Sequence, residues 1–170
     1  MKFKDYQKLT SQFAIYPKET ALEYLSLGLF SEVGEIAGLI KKKIRGDELP
    51  DFDELLKKEL GDVAWYLSEL ANKVCIGSIN TDPDLKKADN WSIMDSLNQI
   101  SDLDCDCRSI MFDVTHDRND LATSILDAID EWVNMVLLFG FDVDEVLDLN
   151  IKKLSSRQER CVIKGSGDNR

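Results

Sequence analysis

The sequence predicts an all-α fold, on three observations. Apolar residues recur at helical spacing through most of the chain, no segment shows convincing strand alternation, and the three prolines fall between the helical patterns. At 170 residues the expectation is one domain, long enough to bury a real core.

The elements follow in order. A short helix is expected over residues 4–15, ended by Tyr16-Pro17. A long helix over 19–45 is stopped by Gly46-Asp47 and Pro50. A second long helix over 53–74 takes Asp51 or Asp53 as its cap and ends near Gly77. Residues 76–91, rich in turn formers, read as a loop. Helical patterns resume over 92–114 and 119–139, with a break at 115–118. Gly140 is a stop, Asp142 or Asp144 begins a last helix to residue 157, and the tail KGSGDNR is turn-like.

Composition excludes several classes. Hydrophobic residues at 44% and charged residues at 31% describe an ordinary globular chain rather than a disordered one. No run approaches the ~18 apolar residues that cross a bilayer, so no membrane association is expected. The start, MKFKDYQKLT, lacks an apolar secretory core, and a cytoplasmic location follows as the expectation. Cys75, Cys105, Cys107 and Cys161 lack zinc-site spacing and read as reduced thiols. The net charge of −11 argues against a nucleic-acid partner. Two basic stretches stand out against it: Lys41, Lys42, Lys43 and Arg45, then Lys152, Lys153, Arg157, Arg160, Lys164 and Arg170. Such patches on an acidic chain suit a small polyanion.

Carboxylates sit where apolar residues are expected. On a helical wheel, Leu22, Leu25, Leu29, Ile36 and Ile40 form the stripe of helix 19–45. Glu32 lies on its edge and Glu35 one step further on the same side. In helix 53–74 the stripe is Leu55, Val63, Tyr66, Leu70 and Val74, with Glu59 projecting from its middle and Asp62 flanking it. An inward carboxylate must protonate, pair with a cation or bind a metal. Each pair is spaced i, i+3, so its members stand side by side. Four converging oxygen donors suit Mg²⁺, with Mn²⁺ the alternative. A di-iron centre would need histidine at Glu-x-x-His spacing, and the lone His116 falls in an expected loop. In the last helix, Asn150, Lys153 and Arg157 form a polar ridge beside Val143, Val146, Leu147 and Leu154. One amide and two cations facing such a cluster suit a metal-bound polyphosphate. Lys43 lies on the Glu32 side of its helix and joins them as a candidate.

At these residues the chain resembles a family. LGLFSEVGEIAGLIKKKIRGD followed by KKELGDVAWYL looks like the ExxE…ExxD signature of MazG-like nucleotide pyrophosphohydrolases. DYQKLTSQFAIYP and NIKKLSSRQERCVIKGSGDNR are similar to that family's first and last segments. The resemblance implies an all-α fold related to dimeric dUTPases and phosphoribosyl-ATP pyrophosphohydrolase, cleavage of a nucleoside triphosphate to monophosphate and pyrophosphate, and a homodimer or homotetramer. It implies Glu32, Glu35, Glu59 and Asp62 as metal ligands, and Lys153 and Arg157 on phosphates with Asn150 nearby. Residues 76–139 depart from the compact pattern as an acidic insertion with two helices, leaving the core at about 4–75 and 140–170.

Glu35 or Glu59 is the expected general base. Trp65, Tyr66, Tyr6 and Tyr16 are candidates to stack on a base, and the tail 165–170 to close over phosphates. Two other readings stay open here: a base-selective dCTP or dUTP pyrophosphatase of the same superfold, and a non-catalytic acidic helical interaction module.

Overall fold

A computed structural model describes residues 1–81, 92–112 and 118–163, and among them it is all-α. The helices are α1 (Phe3–Thr10), α2 (Ala21–Arg45), α3 (Phe52–Lys73), α4 (Ile93–Phe112), α5 (Arg118–Leu138) and α6 (Val143–Glu159). Short 3₁₀ turns at Ser11–Phe13 and Lys18–Thr20 replace the far end of the expected first helix and the near end of the second. His116 and the tail 165–170 lie outside the described residues.

Each boundary has a local cause. Gly46, at φ 89°, closes α2 in the left-handed conformation, and the Asp47 amide reaches back to the Lys42 carbonyl. α3 ends before Gly77, because Cys75 takes the left-handed position at φ 63° and the Ile76 amide donates to the Ala71 carbonyl. Asp142 caps α6 by accepting from the Glu145 amide at 2.8 Å. The Ser92 hydroxyl and amide both donate to Asp95, opening α4 as a reciprocal cap.

α3 is the central element. It packs against α1, α2, α5 and α6, while α4 closes the other side of α2 and pairs with α5. A helix with so many neighbours is buried over more than one stripe. Leu56, Leu60, Val63, Leu67 and Leu70 are fully buried, whereas Leu55, Tyr66 and Val74 are only half-buried. The single stripe expected for this helix is therefore too narrow.

Helices α4 and α5, from the acidic stretch between α3 and α6, are part of the same core. Ile100, Leu103, Ile125, Ile129 and Trp132 from α4 and α5 pack in one cluster with residues of α1, α2, α3 and α6. Trp132 donates its indole N–H to the Leu60 carbonyl at 2.8 Å and meets Phe3 edge-on at 5.8 Å. No helix among the described residues is long and apolar enough to cross a membrane.

Candidate functional site

Three helices supply the site. α2 contributes Glu32, α3 contributes Glu59 and Asp62, and α6 contributes Asn150, Lys153 and Arg157. One carboxylate oxygen from each of Glu32, Glu59 and Asp62 lies within 4.8 Å of the other two. Glu59 is only 9% exposed. Burial and the neighbouring Asp62 and Glu59 charges push Glu32 up to about 8, and Lys153 opposes that shift.

Two glycines let these helices approach. A glycine inside a helix costs about 1 kcal/mol against alanine, so it signals a packing need. A Cβ on Gly61 would meet Asn150 Cβ at 2.9 Å, and one on Gly28 would meet the Tyr66 ring at 2.1 Å. Gly61 thus lets α6 lie against the turn of α3 that carries Glu59 and Asp62. Gly61→Ala is expected to push α6 outward and to lower stability by about 1–3 kcal/mol, read by denaturant unfolding. An unchanged midpoint would contradict this packing account.

Asn150 is fixed from both sides. It accepts from the buried Tyr6 hydroxyl at 2.8 Å and donates to Asp62 Oδ1 at 2.8 Å. Lys153 pairs with the second oxygen, Oδ2, and the two side chains are 16% and 17% exposed. Arg157 is buried and lines a cleft of about 120 Å³ together with Glu32 and Asp62. The ridge on α6 expected from the wheel therefore faces the carboxylates.

Two expected members stand apart. Glu35 is exposed on α2, one turn beyond Glu32, and is not among the three converging carboxylates, although its charge still reaches Glu32. Lys43 is not brought to the cluster. Its ammonium sits 4.5 Å above the Phe52 ring at the α2–α3 turn, because the wheel places a residue around a helix but not along it.

One wall of the cleft is aromatic. Tyr24, Trp65 and Tyr66 line it; Tyr16 stacks on Tyr24 at 5.3 Å and meets Trp65 edge-on at 6.2 Å. Tyr6 is excluded from stacking by its complete burial. The wall is anchored by Glu69, a buried carboxylate accepting from Thr10 at 2.7 Å, Ser11 at 2.8 Å, Asn72 at 3.0 Å and Tyr16 at 2.7 Å. Sequence reading missed Tyr24, Glu69 and the glycines. Gly28 and Gly61 carried a readable signal as mid-helix glycines; Glu69 resembled any solvated helix glutamate.

No family model and no solved structure matches the chain. The Gene 37 protein of Mycobacterium phage L5 is 38% identical to it over 78 residues, which span 41% of this chain and 68% of that protein. By that identity and coverage, the chain belongs to the family of the phage L5 Gene 37 protein.

Proposed function

We propose that this protein is a MazG-like enzyme that hydrolyses nucleoside triphosphates to monophosphate and pyrophosphate with Mg²⁺. The observation that carries the proposal is the convergence of Glu32, Glu59 and Asp62 beside Lys153 and Arg157. The donor set fits the ion, since all three are hard oxygen ligands of the kind that Mg²⁺ takes.

Glu32, Glu59 and Asp62 would hold the metal. When bound, Mg²⁺ or Mn²⁺ supplies charge neutralisation for the triphosphate and a more acidic water. Glu35, exposed beside the cluster, takes the proton from the attacking water as general base, since Glu59 is committed to the ion. Arg157 and Lys153 stabilise the charge that develops on the leaving pyrophosphate. Tyr24, Trp65 and Tyr66 offer ring faces to the base. A panel of canonical and modified nucleotides, assayed for pyrophosphate with and without Mg²⁺, tests the reading. Metal-dependent release is expected; none with any nucleotide would leave the interaction-module alternative standing.

A homo-oligomer is part of the proposal. The cleft of about 120 Å³ falls below the roughly 300 Å³ of ordinary ligand pockets. Beside it, the outer face of α2 exposes Leu27 at 62%, Phe30 at 59% and Ile44 at 82%, with Gly34 and Ala37 between them. Tyr24 belongs to both the cleft and this face. A second copy seated there would deepen the cleft while covering the stripe. Phe30→Glu is expected to yield a monomer by light scattering, with pyrophosphate release reduced at least about tenfold. A wild-type protein that is already monomeric would remove this part.

A further inference from the structure

Lys153 holds two assignments that compete. It pairs with Asp62 Oδ2, yet it also lines a second, larger cleft of about 440 Å³ between α3 and α6. That volume lies within the range of small-ligand pockets, about 300–1,000 Å³. Lys57 and Lys58 line the same groove, opposed by Glu54 and Glu145. Lys57 lies 2.7 Å from Glu145 and 4.9 Å above the Phe141 ring.

We propose that Lys153 is a resident counter-ion of the carboxylate cluster, that a divalent cation displaces it from Asp62, and that the displaced ammonium joins Lys57 and Lys58 in the α3–α6 groove to bind the diphosphate part of a nucleotide. The inference rests on the metal reading above and adds the groove, its two further lysines and the exchange.

The two oxygens of Asp62 are held differently, and this makes exchange feasible. Oδ1 accepts from Asn150, which Tyr6 pins and which packs against Gly61. Asn150 is held by two hydrogen bonds and lies against Gly61, so Asp62 keeps its orientation when its other partner departs. Oδ2 is held by Lys153, a long stem with four rotatable bonds and a point charge. A doubly charged ion placed among three carboxylates competes directly with the singly charged ammonium paired with Asp62. The groove changes sign with the exchange. While Lys153 is committed to Asp62, Lys57 and Lys58 are balanced by Glu54 and Glu145; its release gives three lysines against two glutamates. Metal and polyphosphate must then strengthen each other's binding, because coupling of this kind is reciprocal.

Mn²⁺ titration of the full chain, followed through the paramagnetic resonance of the free ion, tests both halves without any turnover. Lys153→Met is expected to bind Mn²⁺ about tenfold tighter than wild type, since the competitor is gone. Its melting temperature should rise more on Mn²⁺ addition than that of wild type. If Lys153→Met does not fold in chelator, Lys153→Gln makes the same comparison with the donor kept and the charge removed. Inorganic pyrophosphate, corrected for its own Mn²⁺ complex, should tighten Mn²⁺ binding to wild type. Lys57→Ala/Lys58→Ala should abolish that enhancement while leaving the affinity for Mn²⁺ alone unchanged. Equal or weaker Mn²⁺ binding by the Lys153 variants overturns the exchange. An enhancement that survives in the double variant overturns the groove. A wild-type protein that binds no Mn²⁺ overturns the metal reading itself, so the two failures are distinguishable.

Discussion

Glu59→Gln is expected to lower Mg²⁺-dependent pyrophosphate release by about a thousandfold, the scale on which a preorganised charge at a reacting centre is lost. The side chain keeps its shape, so the packing of α2 on α3 survives. The cluster loses one ligand oxygen's charge, and Glu32 loses one of the neighbours that raise it. In chelator Glu32 should therefore titrate lower than in wild type, because one of the charges that raise it is gone. Mg²⁺ should raise its melting temperature far less than it raises that of wild type. A fold retained in chelator with a weakened response to Mg²⁺ separates ligand removal from simple unfolding. Full activity in this variant would end the metal-ligand assignment.

The second large effect is on pH. Glu32 sits at about 8 in the folded chain against an ordinary value of 4.5. A carboxyl raised by folding contributes stability that is fully present below its ordinary value and is lost as pH rises towards the folded one. In chelator the protein should thus lose stability between about pH 4.5 and 8. Mg²⁺ must displace the Glu32 proton, so apparent affinity should rise with pH and level off above 8, by roughly fiftyfold between pH 6 and 8. Calorimetry in two buffers of different ionisation heat would count the released proton. Affinity independent of pH across that window would contradict the placement of Glu32 at the ion.

Much of this was legible in the sequence, and the limits are physical. The all-α class followed from periodicity, and most helices end within two residues of expectation. The first helix ran past Thr10 because its apolar pattern continues through Phe13, where the backbone has tightened into a 3₁₀ turn. The polar ridge of α6 was readable because Asn150 and Arg157 interrupt an apolar stripe, and both are buried. Glu35 and Lys43 were grouped with Glu32 on a wheel, which contains no axial distance and no knowledge of which neighbour lies opposite. The hydrogen bonds that fix the site join residues far apart in the chain, as between Tyr6 and Asn150 or Thr10 and Glu69. No local pattern encodes such pairings.

The hydrogen bond from Trp132 to the Leu60 carbonyl has a last consequence. Leu60 lies between Glu59 and Gly61, so α5 grips the very turn of α3 from which the acidic groups project. Helices α4 and α5 are a buttress rather than an ornament, and removing them would uncover α3. Substitutions around Trp132 would then disturb the turn that carries Glu59 and Asp62 without touching either carboxylate. Backbone amide exchange near Gly61 should slow or quicken in step with α5, marking the two as one cooperative unit.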